Sequence, residues 1–110
     1  MKIGIIGLGN VAELHGTALA EMDPQLFCGG WSRTYRKALQ FVDRFGGRAY
    51  ETVDELLGDN AVDAVVVCTN TASHFDMARR ALLAGKHVLL EKPLCAQATQ
   101  IRELAEIARS

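Results

Sequence analysis

The sequence predicts a doubly wound α/β domain: a parallel five-stranded sheet of order 3-2-1-4-5 between two layers of helices. Three observations carry that prediction. Short apolar runs alternate with amphipathic stretches along the whole chain, as strands and crossover helices do. The first run, Lys2 to Ile6, leads straight into Gly7-Leu8-Gly9-Asn10-Val11-Ala12, and a helix-like stretch follows. No linker, repeat or low-complexity tract interrupts the pattern, so the 110 residues make one domain with its own core.

The elements follow in order. Leu26 to Trp31 reads as the second strand. Thr34 stands where a cap belongs, and Ala38, Phe41, Val42 and Phe45 then fall on one helical face. Gly46-Gly47 stops that helix, and Arg48 to Tyr50 is a short third strand. Thr52 with Glu55 has the form of a capping box for a short helix through Leu57. Gly58-Asp59-Asn60 is a turn. Val62 to Cys68, rich in β-branched residues, reads as a strand buried on both faces. A helix from about Ala72 to Ala84 carries Phe75, Ala78 and Leu82 on one stripe, with Gly85 as its stop. His87 to Leu90 is the fifth strand. Ile101, Leu104, Ala105 and Ala108 mark a last helix over about Ala96 to Arg109.

The glycine turn indicates what the domain binds. A Gly-x-Gly-x-x-Ala turn between a strand and a helix is the dinucleotide fingerprint. Its first glycine permits the tight turn, its second admits the pyrophosphate, and the small third residue lets helix pack on strand. The phosphates then lie on the helix N-terminus, where unpaired N–H groups favour negative charge. Gly7, Leu8, Gly9, Asn10 and Val11 are the candidate contacts. The ligand is expected at the switch between strands 1 and 4.

An NAD-binding unit usually places a carboxylate about 20 residues past the glycines, on the ribose hydroxyls. Here Ser32 and Arg33 stand in that place, and no carboxylate occurs between Pro24 and Asp43. A hydroxyl followed by arginine suits a 2′-phosphate, so the sequence favours NADP over NAD. Alternatively, Arg33 stacks on the adenine and accepts either coenzyme. Arg36 is a second candidate contact or, the preferred reading, a solvated helix residue.

Two further constellations lie at the carboxyl ends of strands 4 and 5. Cys68-Thr69-Asn70-Thr71-Ala72-Ser73-His74 is rich in small polar residues, which suits a loop lying along ribose and pyrophosphate. Thr71 or Ser73 can equally be a plain N-cap, and His74 can serve structure by holding the loop. His87 to Leu90 then ends in Glu91-Lys92-Pro93. A lysine at that edge reaches the nicotinamide or a substrate hydroxyl and can transfer a proton. The plain alternative is a surface Glu-Lys pair.

Composition excludes other classes. A net charge of −1 supplies no basic field for nucleic acid or an anionic membrane. The first apolar run is too short to span a bilayer. Cys28, Cys68 and Cys95 make an odd count without metal-ligand spacing; Cys28 and Cys68, in apolar strand-like runs, read as small buried apolar side chains in a reducing cytoplasm. No metal site is expected.

Taken together, Gly7 to Ala12 with His15, Thr69 to His74, and Ala84-Gly-Lys-His-Val-Leu-Leu-Glu91-Lys92-Pro93-Leu94 resemble the glucose–fructose oxidoreductase / myo-inositol dehydrogenase (Gfo/Idh/MocA) family. The resemblance covers essentially the whole chain. It implies an NAD(P)-dependent oxidoreductase acting on CH–OH groups of sugars, polyols or related compounds, and a homo-oligomer. It assigns Lys92 as the catalytic residue beside the nicotinamide, with Glu91, Pro93, Cys68, Thr69, Asn70 and His74 at the coenzyme. Asn70 stands where many members carry proline. Family members continue into a second domain that supplies most of the substrate pocket. This chain is therefore expected to be the coenzyme domain of a longer enzyme, inactive alone and prone to self-association. A rival reading is a non-catalytic nucleotide-sensing module, which needs no proton-handling Lys92. A methyltransferase, which usually wants an acid at the end of strand 2, is disfavoured by Ser32.

Overall fold

The computed structural model describes residues 1–90. Its five strands are β1 (Ile3–Ile6), β2 (Phe27–Trp31), β3 (Arg48–Tyr50), β4 (Ala64–Val67) and β5 (His87–Leu90). All neighbours pair parallel, in the order β3-β2-β1-β4-β5. Between them run α1 (Asn10–Met22), α2 (Tyr35–Phe45), α3 (Val53–Leu57) and α4 (Thr71–Leu83). The expected fold and strand order are both present.

The period-2 alternation of the central strands splits the core into two layers. Ile5 and Val66, paired across β1 and β4, face α1 and α2 and pack with Ala12, Phe27, Ala38 and Phe41. Ile6, Val65 and Val67 face the other way, against Tyr50, Val53, Leu56 and Ala81. Ile5 and Ile6 are both fully buried, and burying such a side chain stabilises by about 1.5–3 kcal/mol. The continuous apolar run of β4 has this cause: a strand covered on both faces has no solvent side.

Element ends differ from expectation in small, explicable ways. The second strand starts at Phe27, because Pro24–Leu26 form a 3-10 turn in which the Asp23 side chain accepts from Gln25 N at 3.0 Å. β4 starts at Ala64: the N–H of Val62 closes the preceding turn on Asp59 O at 3.0 Å. Neither Thr71 nor Ser73 caps α4. Asn70 is the N-cap, its side chain accepting from Ser73 N at 3.1 Å. Thr34 holds the N-cap position of α2, but its side chain makes no capping bond. Thr52 caps α3 as expected, accepting from Glu55 N at 3.1 Å. Cys28 and Cys68 are half-buried rather than fully buried. The expected helix from Ala96, and Cys95, lie outside the described residues. Among the described residues no helix is long and apolar enough to cross a membrane. None of their His, Cys, Asp and Glu side chains gather into a group of three able to hold a metal ion.

Candidate coenzyme cleft

A cleft of about 580 Å³ opens at the carboxyl end of the sheet. It lies where β1 meets both of its neighbours, because the sheet reverses direction of growth there. Three loops wall it: Gly7 to Gly9 after β1, Trp31 to Thr34 after β2, and Cys68 to Asn70 after β4. The first turns of α2 and α4 add Lys37 and Ser73. Backbone hydrogen bonds lock the loops together: Gly7 N donates to Trp31 O at 2.8 Å, and Cys68 N to Ile6 O at 2.7 Å.

The two glycines of the turn have different causes. Gly7 has φ +93, and a Cβ there would lie 2.8 Å from Thr69 N. It is glycine because of the chain's own geometry. Gly9 has ordinary extended backbone, φ −95, and a Cβ there would meet nothing within 4 Å. Neither conformation nor internal packing requires glycine at position 9. A glycine there leaves room for a ligand to approach the backbone closely. Gly9 is also the N-cap of α1 and supplies no side-chain cap, so the first N–H groups of that helix are left for a ligand.

The polar groups of the cleft point the same way. Thr69 Oγ1 is buried and makes no hydrogen bond among the described residues. Such a group costs about 1–3 kcal/mol unless something completes it. Ser32 is buried, at 9% exposure, and its Oγ accepts from Thr34 N at 3.3 Å. Arg33 and Lys37 stand exposed in the lining, and among the described residues no carboxylate lines the cleft. A ligand with phosphates at one helix N-terminus and along a cationic wall fits this donor set.

Of the residues singled out by sequence, Gly7, Leu8, Gly9, Ser32, Arg33, Cys68, Thr69 and Asn70 come together around the cleft. Asn10 is the first residue of α1, and Val11 is exposed on that helix outside the lining. His74 is buried, at 2% exposure, in the first turn of α4 and does not line the cleft. Arg36 is exposed and also outside the lining. Glu91, Lys92 and Pro93 lie outside the described residues. Ser73, read as part of the coenzyme loop, also lines it, whereas sequence reasoning passed over Trp31, Thr34 and Lys37 as lining residues.

Comparison with known proteins agrees with this geometry. The sequence profile described as "Oxidoreductase family, NAD-binding Rossmann fold", the Gfo/Idh/MocA family, matches residues 1–110. Glucose-6-phosphate 3-dehydrogenase of Bacillus subtilis is 40% identical over 93 residues, which is 84% of this chain and 26% of that protein. A 3-ketoreductase from Actinomadura kijaniata, crystallised in complex with TDP-benzene and NADP, superposes with a TM-score of 0.90 at 37% identity. That match covers 99% of this chain and 35% of the reductase. UDP-N-acetylglucosamine 3-dehydrogenase from Acidithiobacillus ferrooxidans gives a TM-score of 0.90 at 31% identity, again over 99% of this chain and 35% of that one. The chain thus spans about a third or less of the relatives it matches. With its strand order, glycine turn and cleft, it belongs to the Gfo/Idh/MocA oxidoreductase family, as that family's NAD-binding Rossmann domain.

Proposed function

We propose that this chain is the coenzyme-binding domain of an NAD(P)-dependent oxidoreductase that transfers hydride to or from a sugar or polyol carbon. The observation that carries the reading is Gly9: a glycine that the fold does not need, beside uncapped N–H donors, in a cleft whose described lining holds no carboxylate. The residues have distinct tasks. The N–H groups of α1 bind the pyrophosphate, Gly9 lets it approach, and Thr69 Oγ1 gains its missing partner. Ser32 and Arg33 meet the adenosine ribose and favour a 2′-phosphate over a free hydroxyl. The nicotinamide, when bound, supplies the hydride acceptor or donor. Lys92 moves the proton of the reacting hydroxyl, an assignment that rests on the family resemblance.

The relatives reported above favour catalysis over mere nucleotide sensing, since each is named as a dehydrogenase or reductase. All three are named for position 3 of their substrate, two of them for a hexose derivative. We accordingly favour position 3 of a hexose derivative as the reacting carbon. The relatives' greater length supports a second domain that completes the substrate site and the homo-oligomer.

Titration of the chain with NADPH and NADH, read by Trp31 fluorescence, tests the coenzyme reading. Trp31 is the only tryptophan and lines the cleft. Saturable quenching is expected, with NADPH tighter by about tenfold or more, the worth of one charge-assisted hydrogen bond. A folded sample that binds neither coenzyme refutes the reading. In the complete enzyme, Lys92→Ala should lower kcat by about a hundredfold or more while coenzyme affinity holds. Surviving turnover would leave Lys92 without a catalytic role.

A further inference from the structure

We draw no further inference here: the strongest candidate, the exposed apolar flank of α1 formed by Leu14, Ala18 and Met22, carries nothing, since nothing in the structure shows what covers it.

Discussion

At the amino end of the sheet, charged side chains are spent on the chain itself; at the carboxyl end, they are held in reserve. Before β1, the N–H of Lys2 donates to Asp63 Oδ2 at 2.7 Å and its Nζ to Gln25 O at 2.7 Å. Before β4, Asp59 accepts from the Tyr50 hydroxyl at 2.6 Å and from Ala61 N at 2.9 Å. Before β5, Lys86 Nζ donates to Asp59 O and Val62 O. After β1, β2 and β4 the picture reverses. Among the described residues α1 has no side-chain cap, Thr69 Oγ1 has no partner, and no carboxylate lines the cleft beside Arg33 and Lys37. An unsatisfied buried donor or acceptor lowers stability by about 1–3 kcal/mol. Satisfying one end and leaving the other incomplete is what is expected of a chain that assigns the first to folding and the second to a ligand.

The sharpest way to break this contrast uses the two glycines of one turn. Gly7→Ala places a Cβ 2.8 Å from Thr69 N in a backbone at φ +93. It should destabilise the domain by about 3 kcal/mol or more, read by urea or thermal unfolding. Gly9→Ala places its Cβ in open space at ordinary φ. It should change stability by less than about 1 kcal/mol. Its effect belongs to the ligand, with NADPH and NADH both weakened by about tenfold or more as the methyl group blocks the pyrophosphate's approach. If Gly9→Ala binds coenzyme normally, position 9 is no cradle. If Gly7→Ala is as stable as the original, the clash with the β4 loop is relieved by movement and the turn is less rigid than it looks.

How far this contrast was legible in the sequence depends on range. The fold was legible because its signals are local and repeated. β-branched runs marked β4, the stripe Ala38–Phe41–Phe45 marked α2, and the Thr52–Glu55 box marked α3. The glycine turn was legible because strand, turn and helix adjoin in sequence. The lining of the cleft was less so, since it depends on how loops from three separated strands meet. Asn70 is an example: it lines the cleft as its loop position suggested, but only the structure shows its side-chain oxygen accepting from Ser73 N as the cap of α4. Lys37 is the opposite case, for a usable signal was there. At about 100° per residue, the buried Ala38 and Phe41 put Arg36 on the far side of α2 and Lys37 at the edge of the buried stripe. Taking that helical register one step further would have chosen Lys37 over Arg36. His74 lacked such a signal: a histidine in the first turn of a helix at the switch point reads alike whether it faces the cleft or, as here, is buried away from it.

The smallest expected effect sharpens the comparison through Asp59, before β4, and the tyrosine that reaches it from β3. Tyr50 is buried, and its hydroxyl donates to Asp59, so Tyr50→Phe should lower stability by about 1 kcal/mol and leave NADPH affinity unchanged. The same pair gives a pH signature. Burial, reinforced by the bond to Asp59, raises the Tyr50 phenol above its ordinary 10.0. The unfolded chain then loses that proton first, so this contribution is full below pH 10 and is lost as pH rises beyond it. The Tyr50 bond, followed by that from Ala61 N, lowers Asp59 below its ordinary 3.8. The unfolded chain takes up that proton first, so the second contribution is full above pH 3.8 and is lost as pH falls further. Unfolding free energy measured against pH should decline on both flanks. In Tyr50→Phe the alkaline decline should be reduced, because the raised phenol is gone, and the acid decline should soften. Tyr50→Phe that matches the original on both flanks would mean the bond contributes nothing net. Tyr50→Phe that weakens coenzyme binding would mean the two ends of the sheet are coupled, and their division of labour would fail.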